Sequence, residues 1–397
     1  MGIIKSIIDL DLYKITMLNS VILKYPDYRV RIKFNDRNNT KYPAGFDKLI
    51  IKEVQQLSKI KGITEDEANF LRKNVPWISE VTIKYLGGYS FDPSEVAIFQ
   101  NSDGTLNMNG EGFYHSLILW ETILMSITSE LYFKDIPVNL NQVRMDAEKK
   151  SMHFYMNNQR VVEMGTRRRR SYAVQDAVIR GLFTGMGSSV MIGTSNVHFA
   201  MKYGLKVIGT VAHEWYMFHS ALFGYKMANR MANDVWADVY RGELGIGLPD
   251  TFTTDVFLKT FDTYNAKLFD GLRQDSGNPL VWGEKIVNHY KKLGIDPTTK
   301  KYVFSDSIKS HAQLDNLHDS FKIPTSQKSY GIGTWLTNDF PEKALNMVIK
   351  LSEVFVNGEW VHVVKIGDDP GKGSGNYEEQ VRCNMILGLN KTKTLFD

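Results

Sequence analysis

The chain has 397 residues, 43% hydrophobic and 23% charged, a balance that fits two or three folded units and excludes a disordered or fibrous protein. Lys+Arg 48 against Asp+Glu 44 leaves a net charge of +4, too small and too evenly spread to point to nucleic acid or a membrane surface. The single cysteine, Cys383, excludes an internal disulfide and a structural zinc site. Lys5 and Asp9 interrupt any leader-like run, so the expectation is a cytoplasmic protein without a membrane partner.

In chain order, Asp9–Lys24 carries Leu12, Ile15, Leu18 and Ile22 at helical spacing, and Tyr28–Phe34 alternates as a strand does. Phe46–Ile60 predicts a second helix. Thr64–Asn74 predicts a third, opened by Thr64 and Glu67 as a capping box. The Gly-Gly and Asp-Pro pairs within Lys84–Phe99 predict strands joined by turns.

From about Arg160 short apolar runs alternate with amphipathic ones. The pairs are Arg160–Met164 with Tyr172–Phe183, Ser189–Ile192 with Val197–Tyr203, and Lys206–Gly209 with Glu214–Met231. They continue as Leu248–Thr253 with Val256–Tyr264, Lys267–Leu272 with Pro279–Lys292, and Lys301–Phe304 with Ser310–Asp319, closing on Ser329–Ile332. Strand then helix, repeated, predicts an α/β fold with a parallel sheet and helices outside. An open doubly wound sheet and a closed barrel both fit that alternation.

Polar or glycine-rich residues follow each predicted strand: Gly165-Thr166-Arg167, Gly193-Thr194-Ser195-Asn196, His213-Glu214, Thr254-Asp255, Arg273-Gln274-Asp275, Ser305-Asp306 and Gly331-Ile332-Gly333-Thr334. In a parallel barrel these ends share the face where such folds do chemistry. Arg167–Arg170 opposes a helix macrodipole and so predicts a nearby anion; guanidinium forks suit carboxylate or phosphate. His213 opens a helix, where the dipole favours neutral imidazole; nucleophile and packing histidine weigh evenly. Arg273 with Asp275 reads either as an anion clamp plus a carboxylate for hydroxyls or metal, or as an ion pair closing a turn. Gly371-Lys372-Gly373-Ser374-Gly375 could cradle phosphate or form a plain loop, and Asp368-Asp369-Pro370 is no metal site alone. His289, His311 and His318 read as surface residues.

Six segments, in order, resemble nicotinate phosphoribosyltransferases: Asp11-Leu12-Tyr13-Lys14, Gly165-Thr166-Arg167-Arg168-Arg169, Gly193-Thr194-Ser195-Asn196, Gly209-Thr210-Val211-Ala212-His213-Glu214-Trp215, Arg273-Gln274-Asp275-Ser276-Gly277 and Gly331-Ile332-Gly333-Thr334. The resemblance implies an irregular α/β barrel of about seven parallel strands over residues 141–340. An α/β domain formed from both termini, 1–140 completed by 341–397, would accompany it. It further implies a head-to-tail homodimer with composite active sites. The implied reaction joins nicotinate to 5-phosphoribosyl 1-diphosphate, giving nicotinate mononucleotide and diphosphate. It is coupled to ATP hydrolysis through a phosphohistidine, with magnesium. The alternatives are a nicotinamide-using transferase and a non-catalytic metabolite-binding protein on the same fold.

By the same resemblance, His213 is the phosphorylated histidine. Thr166 and Arg167 contact the pyridine ring and its carboxylate, with Asp11 and Tyr13, the latter reaching over from a neighbouring subunit. Arg273 and Asp275 clamp the ribosyl diphosphate, and Asp255 lies near diphosphate and magnesium. Ser305, Asp306, Gly333 and Thr334 hold the 5-phosphate and ribose, and Lys372 reaches phosphate if its loop closes. Ser195 stands where nicotinamide-using relatives carry aspartate, and a hydroxyl there can donate to nicotinate's carboxylate. Met164 replaces an aromatic wall with an adaptable thioether.

Overall fold

A computed structural model describes residues 2–369 and 371–389, so Pro370 of the Asp368-Asp369-Pro370 turn lies outside the described residues. In chain order the strands are β1 (Arg29–Asp36), β2 (Val96–Gln100), β3 (Leu106–Phe113), β4 (Val161–Glu163), β5 (Met191–Thr194), β6 (Ile246–Gly247), β7 (Gly271–Gln274), β8 (Lys301–Phe304), β9 (Lys328–Ile332), β10 (Met347–Val356) and β11 (Glu359–His362). They make two sheets. One is antiparallel, ordered β11-β10-β1-β3-β2, so strands from both ends of the chain build it. The other is parallel, ordered β5-β4-β9-β8-β7-β6.

The parallel sheet curls round on itself. Residues 206–210 lie between its two edges: Val207 bridges Thr194 in parallel, and Thr210 Oγ1 donates to the Ile246 carbonyl at 3.0 Å. Seven segments thus form an irregular barrel, closed on one side by a side-chain hydrogen bond where a ladder would be expected. The expected barrel fits this arrangement, whose backbone ladder runs through six strands.

Burial explains the alternation. β1 hides Val30, Ile32 and Phe34 while Arg29, Lys33 and Asn35 stay exposed, the pattern of a sheet with one covered face. The barrel strands are short and buried on both sides; Val161, Val162 and Glu163 are all enclosed. One apolar cluster runs from Ile7 through the barrel to Val364.

Several expectations need correcting. Lys84–Phe99 begins within a helix, Glu80–Gly88, started by Ser79 accepting from the Thr82 N–H, and its only strand is the start of Val96–Gln100. Leu248–Thr253 is irregular beyond the two-residue β6, and Lys267–Leu272 splits between the end of helix Thr263–Leu268 and the start of β7. No helix among the described residues is long and apolar enough to cross a membrane.

Candidate active site

The chain's beginning is threaded onto the barrel face. Val197 and His198 donate their N–H groups to Leu10 and Ile8, and Leu12 N–H donates to the Ser195 carbonyl at 2.8 Å. That seam places Asp11, the N-cap of helix Leu12–Lys24, and Tyr13 and Lys14 of its first turn beside the ends of β4 and β5. Ser195 Oγ donates to Asp11 Oδ1 at 2.6 Å. Arg167, after β4, has Nε 3.7 Å from Asp11 Oδ2 and its guanidinium 5.7 Å from the Tyr13 ring. The Tyr13 hydroxyl donates to Glu121 at 3.2 Å, so its ring stands beside Arg167 within one chain rather than reaching over from another. Burial raises the Asp11 carboxyl, against the pull of Arg167 and the Ser195 hydrogen bond. Thr166 is buried beneath them: its Oγ1 accepts from Gln175 and Asn196, and its hydroxyl helps to hold the Asp11 carboxylate.

The arginine run divides. Arg169, fully buried, forks onto Asp9 at 2.8 and 3.0 Å. Arg170 pairs with Glu342 at 2.9 Å between the rings of Phe133 and Phe340. Only Arg167 and Arg168 face the site; burial, with Arg167 and Arg37 near, lowers Arg168 to about 10.

His213 opens helix His213–Phe223 and is 3% exposed. Its Nε2 lies 2.9 Å from Lys365 Nζ and 3.0 Å from Asp275 Oδ2; its Nδ1 lies 3.0 Å from Thr251 Oγ1. Nε2 thus lies between an ammonium, which can only donate, and a carboxylate, which can only accept, so either tautomer of the neutral ring finds a partner there. Burial and Lys365 lower the imidazole to about 4. Burial raises Asp275, but His213, Arg273 and Lys365 outweigh it and hold the carboxyl well below its usual range.

Asp250 completes this cluster. His213, Asp250 and Asp275 bring one donor atom each within 4.8 Å, and Asp250 Oδ1 is buried without a hydrogen-bond partner among the described residues. Two carboxylates with a spare oxygen suit a magnesium ion, which prefers oxygen. Asp255, one turn on, does not join them: in the first turn of Thr254–Thr260 its carboxylate is 69% exposed and bound to Lys285 at 2.7 Å. Asp250 lies inside the predicted strand Leu248–Thr253, so position after a strand points to Asp255 instead; the strand ends at Gly247.

The remaining strand ends converge as expected. Ser305 Oγ donates to Asp275 Oδ1 at 3.1 Å, and Asp306 binds Lys372 at 2.7 Å, so the glycine-rich loop reaches the site. Backbone pairing of Lys365 with Ser374 holds that loop. Arg273 Nε is buried without a partner among the described residues, a donor left for an anion. Gly333 opens the short helix Thr334–Thr337 beyond β9; a Cβ there would sit 3.1 Å from the Met164 carbonyl, and one at Gly331 would strike the Met164 sulfur.

Sequence reasoning missed Glu121, Asp250, Lys350 and Lys365. Lys350 and Lys365 come from the C-terminal segment that follows the barrel, and Lys350 Nζ lies 4.0 Å from Glu121. Burial lowers Lys350 to about 8 despite that carboxylate. His318 is also corrected: it is buried, with Nδ1 3.0 Å from the Tyr330 hydroxyl.

The nicotinate phosphoribosyltransferase (NAPRTase) family pattern matches residues 159–392, and that family's N-terminal domain matches residues 8–129. A nicotinate phosphoribosyltransferase of Desulforapulum autotrophicum is 43% identical over 97% of this chain and 99% of its own length. One of Chromohalobacter salexigens is 38% identical over 97% and 99%. The crystal structure of nicotinate phosphoribosyltransferase from Porphyromonas gingivalis superposes with a TM-score of 0.93 at 36% identity, over 97% of this chain and 100% of that one. Family pattern, relatives and fold agree over the residues that build the site: the chain belongs to the nicotinate phosphoribosyltransferase family.

Proposed function

We propose that the protein joins nicotinate to 5-phosphoribosyl 1-diphosphate, giving nicotinate mononucleotide and diphosphate, the entry of nicotinate into NAD. The observation that carries this reading is the placement, on one barrel face, of the Tyr13 ring and the Arg167 guanidinium with a cationic and carboxylate cluster at His213, Asp275 and Lys365. The pyridine nitrogen attacks C1 of the ribose as diphosphate leaves, so no general base is needed. The protein positions the reactants and neutralises the leaving charge. Arg167 takes the nicotinate carboxylate. Ser195 acts one step back: its proton is given to Asp11, which keeps that carboxylate from repelling the substrate. Arg273 and Lys372 bind the phosphates, while Asp275, Ser305 and the backbone at Gly333 and Thr334 hold the ribose. Magnesium, when bound, adds positive charge for the diphosphate, and Asp250 with Asp275 are the residues to hold it.

ATP is coupled through His213. In the tautomer that carries its proton on Nδ1, donated to Thr251 Oγ1, the Nε2 lone pair attacks the γ-phosphorus and the bond to the ADP oxygen breaks. Water later removes the phosphoryl group as phosphate. Lys365, 2.9 Å from Nε2, balances the charge that arrives. The family resemblance implies a cytoplasmic homodimer.

The test is product formation from labelled nicotinate and phosphoribosyl diphosphate with magnesium, with and without ATP, and nicotinamide in parallel. Mononucleotide from nicotinate, stimulated by ATP, is expected. Product from nicotinamide alone would favour the amide-using reading, and none from either base would favour a binding protein.

A further inference from the structure

Lys14 is 1% exposed, with its ammonium taken up by carboxylates, and is the centre of a buried ionic chain. Its Nζ is 2.6 Å from Glu121 and 2.5 Å from Glu214. Glu214 follows His213 in the first helical turn and also accepts from the Tyr114 hydroxyl at 3.4 Å. Glu121 accepts from the Tyr13 hydroxyl, lies 3.7 Å from Arg167 and 4.0 Å from Lys350. One lysine therefore joins the helix that carries the nucleophilic imidazole to both walls of the ring pocket.

Such a chain has no evident stabilising purpose. Burying two carboxylates and an ammonium is often no better than packing apolar groups of equal volume. Glu121 Oε1 is left without a hydrogen bond among the described residues, which adds to the expense. A single cation shared by two carboxylates is also a bistable arrangement, because charge added near one shifts it away from the other.

We infer that Lys14 is a positioning residue that couples the phosphorylation state of His213 to nicotinate binding, through Glu214 on one side and Glu121 with Tyr13 and Arg167 on the other. This rests on the ATP coupling proposed above. A phosphoryl group on Nε2 loads the first turn of the helix that also carries Glu214 and shifts that turn. Lys14 then redistributes between its carboxylates, and Glu121 changes its hold on the Tyr13 hydroxyl and the Arg167 guanidinium. The cluster at His213 and the pocket at Arg167 respond together without sharing a ligand.

The experiment compares wild type, His213→Asn, Glu214→Gln, Lys14→Gln and Lys14→Arg. The KM for nicotinate is measured with and without ATP, and ATP turnover is followed separately. In the wild type ATP is expected to change KM by roughly fivefold or more. Glu214→Gln is isosteric and should keep ATP turnover and ATP-free kcat, yet lose the ATP effect on KM. Lys14→Gln breaks the same link from its other end and serves if Glu214→Gln does not fold; Lys14→Arg keeps the cation and should retain part of the effect. A purely structural chain would lower kcat and stability and leave the KM ratio alone, which overturns the inference. If His213→Asn abolishes the ATP effect while Glu214→Gln and Lys14→Gln preserve it, the link is wrong and the ATP coupling stands. If the wild type shows no ATP effect at all, both fall together.

Discussion

Replacing Asp9 by asparagine tests the division of the arginine run. Asp9 and Arg169 are both fully enclosed, and two parallel bonds of 2.8 and 3.0 Å join them. At an effective dielectric of about 20, opposite charges at that separation attract by about 6 kcal/mol, most of it offset by their desolvation. Asparagine removes the charge and leaves the guanidinium buried with only neutral acceptors, its new amide and Gln175 Oε1 at 3.2 Å. Breaking a buried pair from one side costs about 3–5 kcal/mol, a fall in melting temperature on the order of 5–10 °C for a chain of this size. The pH sign is fixed too. Burial raises the Asp9 carboxyl but Arg169 outweighs it, so its folded pKa lies below 3.8. The resulting stability is present above that value and is lost as pH falls through the lowered one, so the mutant should lack this acid-sensitive component. Urea unfolding followed by tryptophan fluorescence reads the loss, with Arg167→Lys as a control that leaves stability near wild type while lowering activity. A loss under about 1 kcal/mol for Asp9→Asn would refute the view that Arg169 is structural.

Three other outcomes follow from the site. Ser195→Asp places a second carboxylate against Asp11 and should raise the KM for nicotinate far more than for nicotinamide; equal effects on the two bases contradict the role given to Ser195. Glu163 is enclosed below the pocket, and burial, only partly offset by hydrogen bonds from Thr194 and Gly165, raises it to about 7. Its carboxyl stays protonated in the fold while the unfolded chain ionises, so stability should fall by about 3 kcal/mol as pH rises from about 4.5 to about 7. Glu163→Gln should flatten that slope in denaturation at several pH values. His213, lowered to about 4, is neutral through the physiological range. ATP turnover should therefore show no inflection near pH 6.5 when scanned from about pH 5.5 to about pH 8, and a step there would mean an ordinary, solvated imidazole.

The sequence made parts of this legible for physical reasons. The Thr64–Glu67 capping box forms in both directions, at 3.2 and 2.8 Å, because both partners lie three residues apart. The strand-end residues converge because parallel strands in a barrel share an end. Helix Trp120–Phe133 gave no period to read because Trp120, Glu121, Thr122 and Ile123 are all buried, leaving no polar stripe. The arginine run looked like four anion ligands because Asp9 and Glu342, which satisfy two of them, lie far away in the chain. Strand β10 was within reach: Met347, Ile349 and Leu351 are buried at period two, and reading that alternation would have placed Lys350 on the opposite side. Lys365 was not, since only tertiary packing brings it to His213.

The most direct test of the account is covalent. Incubating the protein with ATP labelled at the γ-phosphate, then mapping acid-labile phosphate by peptide sequencing, should place the label on His213 alone, absent from His213→Asn. Label on another residue, or none while ATP is hydrolysed in step with mononucleotide formation, would contradict a nucleophilic imidazole held between Lys365 and Thr251.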